Sequence, residues 1–310
     1  MSILITGAGG FLGQALAKAL ASTPGVNSLV LTDVVEPLKP TDTAQSNTQI
    51  TSLKADLTSR ETCKSLLSTD FSHMYLLHGI MSGASEANLP LGLAVNVDSM
   101  RNILDILREK HESTTGSHNP VRINRQSPSR SPHTGRRSII CEVLFNDFSR
   151  RGIIDAVIVR LPTIIVRPGK PSGAASSFCS GIVREPLNGE ESVLPVNRDL
   201  KLWVCATRTI IRNLVRARGV RFQGETYSRV VNLPGVTVTV QEILSGLEKV
   251  GGEEALQRVV AKADPAVQAI VGSWPAVFDV KKALDMGFYP DGDLTETIRA
   301  YIEDYGGNKS

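Results

Sequence analysis

Gly7, Gly10 and Gly13 in ILITGAGGFLG lie between an apolar run, SILIT (2–6), and a helix-like stretch, FLGQALAKAL (11–20). At this spacing the first glycine permits a tight turn, the second lets backbone approach a pyrophosphate, and the third lets the helix pack close to the sheet. Phe11 and Leu12 begin that helix, whose free N–H groups and positive dipole end would face the phosphates. Asp33 stands 20 residues past Gly13, closing a second strand-like run, SLVLTD (28–33). A carboxylate there holds the hydroxyls of an adenosine ribose. It favours NAD over NADP, because it repels a 2′-phosphate. Asp56 and Leu57, at the end of a third strand, suit the adenine amino group, although Asp56 alone also reads as a simple helix cap.

The elements that must position these residues alternate in the βαβ manner of a parallel sheet. ITSLKAD (50–56) and MYLLHG (74–79) read as the third and fourth strands, and IDAVIVRLPTIIV (154–166) as one long strand rich in β-branched residues. Helical spacing runs through LGLAVNVDSMRNILDILREK. Beyond residue 170 the pattern changes. ASSFCSGIVREPL, TRTIIRNLVRARG (207–219) and TVQEILSGLEKVGG read as helices, the last opening with Thr239 ahead of Glu242, a capping-box spacing, and ending on glycines. The predicted fold class is α/β: a Rossmann-type doubly wound parallel sheet with a smaller C-terminal substrate region. Residues 1–170 form the NAD-binding core. Residues 171–310 are mostly the substrate region, with parts returning to the core.

Composition narrows the function classes. The chain has 310 residues, 41% hydrophobic and 21% charged, which suits a globular protein with a substantial core. Cys63, Cys141, Cys179 and Cys205 are widely spaced with no CxxC pair, against a zinc site or a disulfide framework. No apolar run approaches a membrane span, and the N-terminus lacks a signal-like segment, so a cytoplasmic protein is expected. The formal charge is +3, yet Arg122, Arg125, Arg130, Arg136 and Arg137 all fall within 113–137, which contains no acid. Without those five arginines the charge is −2. The basic character is local and leaves no whole-surface footprint for nucleic acid.

With TGAGGFLG in place, the chain resembles the extended short-chain dehydrogenase/reductases of the NAD-dependent epimerase/dehydratase superfamily. Within them it is similar to the D-erythronate dehydrogenase group of sugar-acid dehydrogenases. The resemblance rests on GIMSGASEANLPLGLAVNVDSMRNILD (79–105), LPTIIVRPGKPSGAASSFCSGIVREPLNGEE (161–191), LWVCATRTIIRNL (202–214), VNLPGVTVTVQEIL (231–244) and RAYIED (299–304). It covers nearly the whole chain except about 113–138. It implies that Leu77, His78 and Asn96 lie near the cofactor, with His78 where the family usually has a small residue. It also implies that Pro162, Thr163 and Ile164 line the nicotinamide, and that Ser82, Ser176, Ser177, Arg184 and Arg208 face the substrate. A guanidinium grips a carboxylate bidentately, and serine hydroxyls suit a polyol. His78 itself reads as a packed or hydrogen-bonded residue, and His111 and His118 as inert. The expected partners are a small-molecule sugar acid and a second copy of the chain in a homodimer, with no membrane and no metal.

The family's chemistry needs Tyr-x-x-x-Lys one helical turn apart, with a serine on the preceding strand. The tyrosinate takes the alcohol proton, and the lysine ammonium lowers the tyrosine pKa. Aligned back from IICEVLFNDFSRRG, Thr134 falls at the tyrosine position and Ser138 at the lysine position. An aliphatic hydroxyl is too weak an acid, and serine brings no charge. His133 lacks the lysine a substitute base would need, and Lys170 belongs to its own RPGK segment. The strand is expected to be missing as well: PVRI (120–123) runs into NRQSPSRSPHTGRR, with no apolar continuation.

The genetic code relates this segment to the family's. If Gln-Ser-Ser-Tyr-Gly-Thr-Gln-Lys were encoded CAG TCC TCA TAC GGG ACG CAG AAG, reading one base later, with a pyrimidine following to complete the last codon, would give SPHTGRRS, residues 131–138. Residues from about Asn124 to Ser138 therefore read as a frame-shifted active-site segment, with frame restored near Ile139. A misassigned splice junction, sequence errors or a decayed gene would each produce it. Disorder is expected through 113–138. The alternatives are a nucleotide-sugar epimerase or dehydratase, a non-catalytic NAD-binding protein, and a basic arm for an acidic partner.

Overall fold

The computed structural model describes residues 1–41, 47–80, 85, 87–113, 121–128, 135–169, 174–222 and 228–306. Among the described residues it divides into two compact units, one drawn from 1–128, 135–160 and 213–231, the other from 161–212 and 232–306.

The first unit is built on a seven-stranded sheet of order β10-β6-β5-β4-β1-β2-β3. Its strands are β1 (Ser2–Thr6), β2 (Ser28–Asp33), β3 (Gln49–Lys54), β4 (His73–Leu76), β5 (Val121–Pro128), β6 (Ile154–Leu161) and β10 (Val230–Asn232). β1 pairs in parallel with β2 and β4, β2 with β3, and β4 with β5. Ile3, Leu4 and Ile5 are fully buried, because a parallel strand covered on both faces leaves no side to water. The strand order reverses between β1 and β4, and this switch point opens the crevice in which such sheets bind ligands. Helix α1 (Phe11–Ala21) follows β1 and buries Leu16, Ala17 and Leu20. Ser59 caps α2 (Arg60–Leu66) by accepting from Thr62 N.

The long helical pattern after β4 is interrupted. α3 (Leu89–Leu93), capped by Asn88, leads into a π-helical turn, Ala94–Asp98, before α4 (Ser99–Ser113). Such turns concentrate at functional sites, and this one carries Asn96.

The expectation of a missing central strand is corrected. β5 occupies the slot between β4 and β6, with His73 opposite Arg122, Met74 opposite Ile123, Tyr75 opposite Asn124 and Leu76 opposite Arg125. Ile123 is fully buried and joins the core with Met74, Phe145 and Ile158. Two strands flanking an empty slot would each expose a row of buried backbone donors and acceptors. Any chain that can run extended satisfies them, whatever its side chains. The expected disorder is likewise corrected for 121–128 and for the start of α5 (Gly135–Arg150).

In the second unit, β7 (Thr163–Ile165) pairs in parallel with β9 (Lys201–Ala206), which pairs antiparallel with β11 (Val236–Thr239). β8 (Ser192–Leu194) pairs with β12 (Val259–Ala261). The predicted single strand 154–166 is thus two. Pro162 lacks an N–H and restricts Leu161 before it, so the ladder of β6 ends there. A 3₁₀ turn, Ala175–Ser177, precedes α6 (Phe178–Leu187), and α7 (Thr207–Ala217) follows β9. α8 (Val240–Gln257) has the predicted capping box: Thr239 N donates to Glu242 Oε2 at 2.6 Å, and Glu242 N to Thr239 Oγ1 at 3.1 Å. It continues past the predicted stop through a kink at Gly252. α9 (Pro265–Gly272), α10 (Lys281–Asp285) and α11 (Leu294–Tyr305) complete the unit, where Ile182, Val204, Leu247 and Ile298 share a core. No described helix is long and apolar enough to cross a membrane.

Candidate functional site

The loop from β1 to α1 has the geometry its glycines predict. Gly7 turns the chain at φ +68, and Gly10 N donates to Gly7 O at 3.2 Å. A Cβ on Gly13 would sit 2.4 Å from Gly7 O and 2.6 Å from Ala8 Cα, so only glycine lets α1 start this close to the loop. No side chain caps α1 and no acid stands in its first turn. Its first N–H groups therefore remain for an anionic ligand. Asp33 ends β2 beside the loop, where Oδ2 accepts from Gly9 N at 3.0 Å and Oδ1 from Val34 N at 2.7 Å. The carboxylate is thereby fixed at the rim of the glycine turn. This cradle fits the pyrophosphate and adenosine ribose of a dinucleotide.

Asp56 lies exposed after β3. Its Oδ1 accepts from Thr58 N and Thr58 Oγ1, and its backbone carbonyl from Ser59 N, so it shapes the turn into α2 while Leu57 is buried. Leu77 continues the β1–β4 ladder by donating from its N to Thr6 O at 3.2 Å.

His78 is hydrogen-bonded, as its sequence context implies. Nδ1 lies 2.6 Å from Thr6 Oγ1 and Nε2 2.9 Å from Ser99 Oγ. Ser99 Oγ in turn donates to Val95 O at 2.6 Å. The histidine therefore bridges the ends of β1 and β4 to the start of α4. Nothing in the sequence marks Ser99 for this role, because a single serine opening a helix has many uses.

Asn96 pins the segment after β4: its Oδ1 accepts from Ile80 N at 2.9 Å and its Nδ2 donates to Ile80 O at 3.2 Å. Cys141 Sγ on α5 donates to Asn96 O at 3.2 Å, which holds the π turn against the helix.

The body of α5 is held to β6 by a buried ion pair, Arg160 to Glu142, with Nε–Oε1 2.8 Å and Nη2–Oε2 2.5 Å. Ser138 is buried on this helix, as are Cys141 and Phe145. Arg137, next to it, donates to Ser85 Oγ and to Ser85 O. Thr134, His133, Ser82 and Lys170 lie outside the described residues. Tyr75 cannot stand in as a base, because burial raises its pKa and its hydroxyl donates to Leu214 O. No group of His, Cys, Asp or Glu suited to a metal occurs among the described residues.

In the second unit Pro162 is buried, with Thr163 and Ile164 half-buried on β7, and Ser176 and Ser177 lie half-buried in the 3₁₀ turn. Arg184 is buried and committed: Nη1 donates to Arg167 O at 2.8 Å, and Nη2 to Glu185 Oε1. Arg208 is half-exposed and paired with α11, at 2.7 and 2.8 Å to Asp304 and 3.0 Å to Glu303. Both guanidinium groups offered for a substrate carboxylate thus already hold acids of this chain. The four cysteines are buried and none forms a disulfide.

The fold and the cradle are those of the Rossmann-type dinucleotide-binding class. The NAD dependent epimerase/dehydratase family matches residues 3–203, and the chain belongs to that family. It is 36% identical over 317 residues to the D-erythronate dehydrogenase of Haemophilus influenzae, covering 98% of this chain and 99% of that protein. It is 37% identical over 328 residues to the D-erythronate dehydrogenase of Cupriavidus necator, covering 99% of each. Among solved structures it is similar to one described as the nucleoside-diphosphate-sugar epimerase from Agrobacterium tumefaciens. That similarity has a TM-score of 0.90 and 31% identity, and covers 100% of this chain and 95% of that one.

Proposed function

We propose that the protein descends from an NAD-dependent dehydrogenase oxidising the 2-hydroxyl of a four-carbon sugar acid, D-erythronate or a relative. We propose further that the chain as written turns over little or no substrate. The observation carrying the first part is the full-length similarity to two D-erythronate dehydrogenases. NAD, when bound, supplies the hydride acceptor. The chain's own residues provide its seat: the backbone N–H groups opening α1 meet the pyrophosphate, Asp33 exchanges its bonds to the glycine loop for the ribose hydroxyls, and Asn96 fixes the segment bordering the crevice. Leu77 and His78 at the end of β4 would complete the seat within the first unit.

The second part rests on residue type. Proton removal from the alcohol needs a group that is a competent base near neutral pH. Thr134 has an aliphatic hydroxyl and Ser138 no charge to lower a neighbour's pKa. The frame relation between SPHTGRRS and the family's tyrosine–lysine segment supports loss of that pair. A second reading, a nucleotide-sugar epimerase, is favoured by the description of the solved relative at 31% identity. It would need the same base.

The test is to express the chain as written and a version with the family-frame segment restored, and to follow NADH formation with D-erythronate. NADH formed by the restored chain alone is expected. Turnover by the literal chain would defeat the claim that Thr134 and Ser138 are dead replacements. A restored chain that ignores D-erythronate but binds a UDP-sugar would favour the epimerase.

A further inference from the structure

We propose that Arg167 is the residue that receives the substrate's carboxylate. The identity of the acid rests on the sugar-acid reading above; the assignment of an anion to Arg167 rests on the second unit's own geometry. Arg184 is neutralised in place by Glu185, and Arg208 by Asp304 and Glu303. Arg167 is the contrasting cation. It is half-buried, and among the described residues no acid lies within ion-pair distance of it. Burial, with a smaller contribution from the neighbouring Arg184 charge, holds its pKa below the ordinary arginine value, while Cys179 acts in the opposite direction. A cation removed from water without a counter-charge is unfavourable. A carboxylate would supply that charge through two parallel hydrogen bonds to the guanidinium fork.

The backbone around Arg167 is built as a clamp. Val166, immediately before it, has φ +54, the only positive φ at a non-glycine among the described residues. For a β-branched residue this is strained, and such strain persists where the surroundings over-determine it, as at ligand clamps. Here the surroundings are α6, which holds Arg167 by both backbone polar groups. Arg167 N donates to Ser180 Oγ at 3.2 Å, and Arg167 O accepts from Arg184 Nη1 at 2.8 Å. Arg184 is thus a positioning residue: its charge goes to Glu185 and to fixing Arg167. Because backbone atoms make these bonds, replacing the Arg167 side chain leaves them intact.

The inference is tested on both the literal and the restored chain. In the literal chain, phenylglyoxal modification of Arg167, followed by peptide mass mapping, should slow about tenfold or more with saturating D-erythronate. Erythritol, which has the polyol but no carboxylate, should not slow it, and labelling of Arg208 should not change. In the restored chain, Arg167→Met should raise the KM for D-erythronate by about tenfold or more, the loss expected for a charge-assisted hydrogen-bond pair. Arg167→Lys should recover part of it, and the KM for NAD should stay unchanged. Normal D-erythronate kinetics in Arg167→Met would overturn the inference and leave the substrate reading standing. A restored chain inactive on D-erythronate, with Arg167 still protected by glycolate, would overturn the substrate reading and sustain the anion site. Protection by neither acid, or equal protection by erythritol, would overturn the anion site.

Discussion

Gly13→Ala separates close packing from backbone strain in the glycine loop. The new Cβ would lie 2.4 Å from Gly7 O and 2.6 Å from Ala8 Cα, against ordinary contacts of about 3.5–4.0 Å between carbons. Both neighbours are backbone, so neither can rotate away, and α1 must withdraw by about 1 Å to restore contact distance. Repacking of that kind costs about 1–3 kcal/mol. For a unit of roughly 150–250 residues it lowers the melting temperature by about 2–12 °C. Gly13 is not among the glycines of positive φ, so backbone strain adds nothing. Gly152→Ala is the converse, with φ +75 and no atom within 4 Å of its Cβ. It should lose about 1–2 kcal/mol from strain alone. Gly7→Ala combines φ +68 with a Cβ 2.5 Å from His78 N and should lose most. The assays are thermal unfolding and NADH titration by fluorescence. Gly7→Ala and Gly13→Ala should weaken cofactor binding, because they displace the N-terminus of α1, and Gly152→Ala should not. A Gly13→Ala protein that melts and binds NADH like the parent would refute the close-packing account.

Glu142→Gln leaves Arg160 buried without its counter-charge and should cost about 3–5 kcal/mol in urea unfolding. Glu142→Leu with Arg160→Met should recover most of that loss, and equal losses in both would contradict the pairing. Asp33→Asn should weaken NAD binding by about tenfold, through loss of charge-assisted hydrogen bonds to the ribose, and should narrow the preference over NADP. Unchanged discrimination would remove Asp33 from the ribose. Burial pushes the Cys63 thiol up to about 11 and the Cys179 thiol up to about 12. The folded chain should therefore resist a disulfide thiol reagent at pH 8, and all four cysteines should react in guanidinium. A rapid equivalent from the native chain would contradict the packing.

The cradle was legible because local rules decide it: an apolar run, glycines at fixed spacing and an acid closing the next strand each have one good structural use. The capping box of Thr239 and Glu242 was legible for the same reason. β5 was not, because what holds it is a pair of neighbouring ladders rather than its own side chains. The split at Pro162 could have been found from the proline alone, by weighing its missing N–H above the β-branched run around it. The partners of Arg208 lie 95 and 96 residues away, so its neutralisation cannot be read along the chain. Arg167 had no signal beyond its place after a strand. What distinguishes it is that Arg184 and Arg208 pair with acids, while Arg167 pairs with none among the described residues.

Absorbance at 340 nm tests the central claim most directly, with NAD and D-erythronate added in parallel to the literal chain and to the chain with the tyrosine–lysine segment restored. The account predicts a steady rise with the restored chain and a flat trace with the literal one, while both bind NADH. A rise with the literal chain, or a flat trace with a folded, NADH-binding restored chain, would contradict it.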